Sequence, residues 1–146
     1  MRFIRPMFTQ VVFIAPALWL LGIFLNWLYH SATGGWGWIY PHTSYRFFSF
    51  MSLGNWVLAV IVIYLAYRLW FIPGNVNFLL RIGIIACLGF IVEFLNGYTH
   101  FYFTGEFFFV WPGSGQRFIA PIALPMWVLN AAVYHYLSVR LVNLHS

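Results

Sequence analysis

Apolar residues in this chain do not alternate with polar ones; they run on. Four mainly apolar stretches, at about 7–29, 47–71, 79–103 and 118–141, each reach the roughly 20 residues a helix needs to cross a bilayer. Turn-forming residues separate them: Gly34 to Pro41, Pro73-Gly74-Asn75 and Pro112-Gly113-Ser114-Gly115. No long linker, internal repeat or low-complexity tract divides the chain. The pattern predicts one domain over residues 1–146, an all-α integral membrane fold built as an antiparallel four-transmembrane-helix bundle. Arg2 and Arg5 ahead of the first run resemble the start of a secretion signal. That run is longer than a signal core and lacks a small-residue cleavage pattern, so it reads as a retained helix.

Composition supports the membrane reading. Hydrophobic residues make up 63% of the chain and charged ones 6%, against roughly a quarter charged in soluble domains. All seven basic residues are arginines, and they form no cluster or stripe, which excludes a nucleic-acid footprint. Their placement carries topology instead. Arg2, Arg5, Arg68, Arg81 and Arg140 fall on one side of the predicted bundle; Arg46 and Arg117, with Glu106, fall on the other. The positive-inside rule makes both termini cytoplasmic, as in a bacterial-type inner membrane. Cys87 is the sole cysteine and has no internal disulfide partner.

The outer side is dense in rings. Trp36, Trp38, Tyr40 and Tyr45 lie in the first outer loop, and Phe107, Phe108, Phe109 and Trp111 in the second. An interfacial belt accounts for any single ring. Together they suggest a cap over the bundle or a docking surface.

Glu93 is one of only two acidic residues and sits in the apolar run from Ile82 to Leu95. An ionised, unpaired carboxylate there costs several kcal/mol, so Glu93 must be protonated, paired or hydrated, which makes it the leading candidate for a functional centre. Asn96, Gly97 and His100 follow at i+3, i+4 and i+7 and share its helix face; Gly89 lies one turn before. Small residues on that face admit a neighbouring helix. At 1.5 Å per residue Glu93 lies roughly 15 Å below the outer end of its helix, and Asn130 roughly 18 Å below that of the fourth. Asn26 and His30 share a face of the first helix; the second offers Ser52 and Asn55. Trp127 and Asn130 carry donors suited to a carboxylate. The candidate catalytic residues are therefore Glu93 and His100. The candidate ligand-binding residues are Asn26, His30, Asn55, Asn96, Arg117, Trp127 and Asn130. Pro121 and Pro125 each free a backbone carbonyl, either for a ligand or simply to shape the start of the fourth helix.

Other chemistries lack their residues. Glu93 and His100 are about 10 Å apart along the helix axis, too far for one metal ion to bridge, and no metal-binding box is present. No nucleophile elbow, Cys-x-x-Cys or phosphate-cradling glycine loop occurs. His30 and His100 at matched depth form the one conceivable bis-histidine haem pair. Interfacial hydrogen-bonded histidines are the preferred reading of the two, and the cofactor is left unassigned.

Glu93, Gly97, Thr99, Tyr102, Thr104 and Gly105, followed by Pro121, Leu124, Pro125 and Trp127, form a membrane Glu, a Gly/Thr/aromatic stretch and a proline-containing helix with a Trp. This second half of the chain resembles integral-membrane carotenoid-synthesis proteins of the hydratase and lycopene-cyclase kind. The further acidic residues of that pattern are mostly absent here. The resemblance implies that Glu93 protonates a polyene double bond.

Two functional readings follow. In the first, the chain is an accessory subunit of a larger membrane complex or homo-oligomer, with an outer-half polar pocket for a lipid, quinone or pigment. In the second, it is a small membrane enzyme acting on an isoprenoid or other lipid. Desolvation then favours the proton-donating form of Glu93, with Asn96 and Asn130 orienting it and His100 relaying protons outward. A single polar stripe reaching only the outer half argues against a continuous transport path.

Overall fold

The computed structural model describes residues 4–112, 118 and 120–142. Four helices account for most of them: α1 (Ile4–Thr33), α2 (Phe50–Ala66, extended by a π-helical turn, Tyr67–Phe71), α3 (Phe78–Thr104) and α4 (Ala123–Val142). Local chemistry explains their ends. Gly34, at φ 74°, stops α1 in a left-handed conformation that lacks a steric cost only for glycine. Ser49 caps α2 by accepting from the Met51 amide, and Asn77 caps α3 by accepting from the Leu80 amide. Gly105 closes α3 at φ 75°. The π turn carries a bond from Ile72 N–H to the Tyr67 carbonyl, just ahead of Pro73, where a regular helix cannot continue.

Each helix packs on two others, α1 on α2 and α4, α3 on α2 and α4, which closes a four-membered ring. Gln10 near the start of α1 meets Tyr134 near the end of α4, and Trp19 meets Ser52 near the start of α2, so neighbours run antiparallel. Small buried residues, Ala15, Ala59, Ala86, Gly89 and Ala131, let the backbones approach. Large apolar side chains such as Phe8, Phe24, Leu69, Leu79 and Phe103 face outward, as hydrocarbon surroundings require. Three helical stretches, Ile4–Thr33, Phe50–Phe71 and Phe78–Thr104, are long and apolar enough to cross a membrane.

The bundle has two unlike ends. The terminal end carries the start of α1, the turn 72–77 and the end of α4. The loop end carries the connection 34–49 and, of the second connection, the described stretch 105–112, which fold inward as a cap. Ile39 and Val110 join the two connections by an antiparallel bridge with two 2.9 Å backbone bonds. Tyr40, Phe108, Phe109 and Trp111 are buried beneath it. The loop rings thus pack as a cap.

α4 starts at Ala123, later than the apolar pattern predicts. Pro121 lies in the turn ahead of it, and Pro125 is its third residue. The first amides of a helix have no intrahelical acceptor, so Pro125 removes no bond and both prolines shape the helix start.

Candidate functional site

Gly89 sets up the site. A Cβ at this position would overlap Cε3, Cζ3 and Cδ2 of Trp127. Only a bare backbone lets the Trp127 indole lie against α3 there. From that seat its Nε1–H donates to Oε2 of Glu93, one turn further along α3. The other carboxylate oxygen, Oε1, makes no hydrogen bond among the described residues.

Glu93 lines a chamber of about 50 Å³ under the cap. Trp19, Trp38, Trp56, Trp111 and Trp127 line it, five of the chain's eight tryptophans. Trp56 and Trp127 meet at 4.9 Å between ring centroids, and Trp38 and Trp111 at 5.4 Å. Tyr40, Ser52, Asn55 and Asn130 complete the polar lining. Several of these groups already have partners. Trp19 Nε1 donates to Ser52 Oγ at 2.8 Å, and Ser52 Oγ donates to the Ser49 carbonyl at 2.6 Å. Burial pushes the Tyr40 phenol up to about 12, against opposing hydrogen bonds with Ser52 and Trp38, so it stays neutral at physiological pH. Asn130 differs: it is buried, and its Oδ1 has no hydrogen-bond partner. No basic side chain lines the chamber among the described residues.

A second, more open cavity of about 280 Å³ runs as a groove between α2 and α3. Met51, Gly54 and Leu58 from α2 face Asn96, Thr99 and His100 from α3 across it, with Phe108 of the cap at one end. Asn96 donates its amide to Oδ1 of Asn55. Asn55 lines both the groove and the Glu93 chamber. Asn55 is therefore the side chain that the two cavities share.

The candidate residues thus separate into groups. Glu93, Trp127, Asn130 and Asn55 meet around the chamber, while Asn55, Asn96 and His100 meet in the groove. Asn26 is a fastener of the cap: its Oδ1 accepts from the amides of Gly37 and Trp38, and its Nδ2 donates to the Trp38 carbonyl at 2.8 Å. His30 stacks on Trp36 at 3.9 Å, and Trp36 stacks on Phe47. His100 lies 6.0 Å, ring to ring, from His42, a loop residue the sequence pattern did not single out. Arg117 lies outside the described residues. No three His, Cys, Asp or Glu side chains come together as a metal ion would require, among the described residues.

A further polar cluster, at the terminal end, had no periodic signal. Tyr134 donates to Gln10 Oε1, Tyr67 and His135 share a hydrogen bond, and Arg81 lies over the Tyr67 ring at 5.3 Å. Gln10, Tyr67, Tyr134 and Ser138 are fully buried. Gln10 and Ser138 are polar residues inside mainly apolar runs, which is the one hint the sequence offers. Compared with known proteins, the chain matches no family model, no curated protein and no solved structure.

Proposed function

We propose that this chain is a four-span membrane protein with both termini cytoplasmic, and that its loop-end half binds a lipid. α4, at 20 residues, is about 30 Å long and runs antiparallel beside α1 and α3, as a fourth span would. Arg5, Arg68, Arg81 and Arg140 belong to the terminal end and Arg46 to the loop end, which favours the cytoplasm for the former. The lipid's chain lies along the α2–α3 groove and its polar end enters the Glu93 chamber. The observation that carries this reading is Asn55, a single side chain on the wall of both cavities.

The test is retention of lipid. Native mass spectrometry of the protein released from mild detergent should find lipid on the wild type. It should find far less on Gly54→Leu, whose added side chain fills the groove wall without touching the chamber. Equal retention by the two proteins, or none by either, overturns the reading.

One observation favours a catalytic second reading. Trp127 anchors one oxygen of Glu93 and leaves the other toward the chamber, the arrangement a general acid needs. Glu93 would then protonate a double bond of an isoprenoid or other lipid. Glu93→Gln should abolish turnover of such a lipid while keeping the helical content. Turnover at the wild-type rate would dispose of this role.

A further inference from the structure

We infer that the group seated beside Glu93 is a primary ammonium, carried by a lipid headgroup or by a small free amine; the lipid source rests on the binding reading above. Two of the chamber's unfilled valences are acceptors. Among the described residues Glu93 Oε1 accepts no hydrogen bond and Asn130 Oδ1 has no partner, and Asn130 is buried. Two neighbouring donors are engaged, Trp127 Nε1 by Glu93 and Trp19 Nε1 by Ser52. A phosphate or carboxylate entering here would place acceptor against acceptor. A quinone carbonyl would do the same. A cationic N–H donor satisfies both.

Charge agrees. No basic side chain among the described lining residues balances a carboxylate at Glu93, and a cationic ligand would supply that counter-charge. Five indoles supply electron-rich faces, the best aromatic partners for a cation, and more so out of water. Hydrogen bonding then selects within the cations. A primary –NH₃⁺ group offers an N–H to each of the two oxygens, whereas a trimethylammonium group has no N–H for Asn130. The chamber is thereby a selector for primary over quaternary amines.

The experiment has two arms on the full-length purified protein. In the first, intrinsic tryptophan fluorescence is titrated with ethylammonium chloride, with tetramethylammonium chloride and sodium chloride as quaternary and ionic-strength controls. Ethylammonium should give a saturable change that the controls do not, weakened about tenfold or more in Glu93→Gln. In the second, native mass spectrometry compares protein from nanodiscs of phosphatidylethanolamine, phosphatidylcholine and phosphatidylglycerol. Retention of phosphatidylethanolamine should exceed that of the other two by about tenfold. Equal retention of all three, with no selective ethylammonium response, overturns the ammonium site and leaves lipid binding standing. A selective ethylammonium response with no lipid retained assigns the site to a free amine and ends the lipid reading. No response in either arm overturns both. The selectivity among amines is read on the wild type, so the result does not depend on a variant folding.

Discussion

The two halves of the bundle both bury polar side chains, and they use them in opposite ways. At the terminal end Tyr134 closes on Gln10, Tyr67 on His135, and Arg81 covers the Tyr67 ring. At the loop end Glu93 and Asn130 face a chamber and keep oxygen atoms unmatched. Both halves keep buried atoms with no hydrogen-bond partner among the described residues, Gln10 Nε2, Arg81 Nε and Ser138 Oγ at the terminal end and His30 Nδ1, His42 Nδ1 and Asn130 Oδ1 toward the loop end. Of these residues only Asn130 lines one of the two cavities described above. Within apolar surroundings a matched polar pair holds helices together, whereas an unmatched one costs stability unless something else arrives to match it. The terminal half closes polar pairs between its helices, and the loop half sets polar oxygens against a chamber.

Substitutions should expose that division. Gln10→Ala orphans the Tyr134 hydroxyl and opens a cavity at a fully buried position. It should lower stability by about 3 kcal/mol, read as thermal unfolding in detergent. Gly89→Ala drives a methyl into the Trp127 ring and should cost about 2 kcal/mol. It should also shift tryptophan emission, because the indole leaves its seat. Glu93→Gln keeps an acceptor for Trp127 Nε1 and should change stability by less than about 1 kcal/mol. A loss as large as that of Gln10→Ala would erase the contrast between the halves.

The smallest effect is a pH dependence in the cap. Burial first, then the His100 ring at 6.0 Å, lowers the His42 pKa, with Glu106 opposing. The unfolded imidazole, near about 6.5, therefore binds protons more readily than the folded one, so the stability it lends is present above that value and falls as pH drops. The protection of amides 36–48 against hydrogen exchange, relative to the free-peptide rate at the same pH, should fall modestly as pH drops below about 6.5. His42→Gln should flatten that dependence. An unchanged profile would remove His42 from the account of the cap.

The long apolar runs made three membrane-length helices and the all-helical class legible before any coordinates. The start of α4 was less so, because apolar residues from Phe118 onward continue the hydrophobic run without continuing the helix. The polar stripe on α3 was legible as a face but not as a division. Successive residues turn by about 100°, which puts Asn96 and Gly97 on opposite sides of Glu93. Asn96 accordingly reaches α2 at Asn55, while a Cβ on Gly97 would meet Phe109 and Phe118. The terminal cluster was hidden because tyrosine counts as apolar in a hydropathy pattern while its hydroxyl behaves as a donor. His42 was hidden because loops have no period, and only the folded cap brings it beside α3.

The strap between Ile39 and Val110, with Asn26 gripping Gly37 and Trp38, has a mechanical corollary. Two connections far apart in the chain are riveted into one plate. A ligand of the kind proposed above would have to lift that plate whole to enter from the loop side, whereas entry from the α2–α3 groove would pass Asn55.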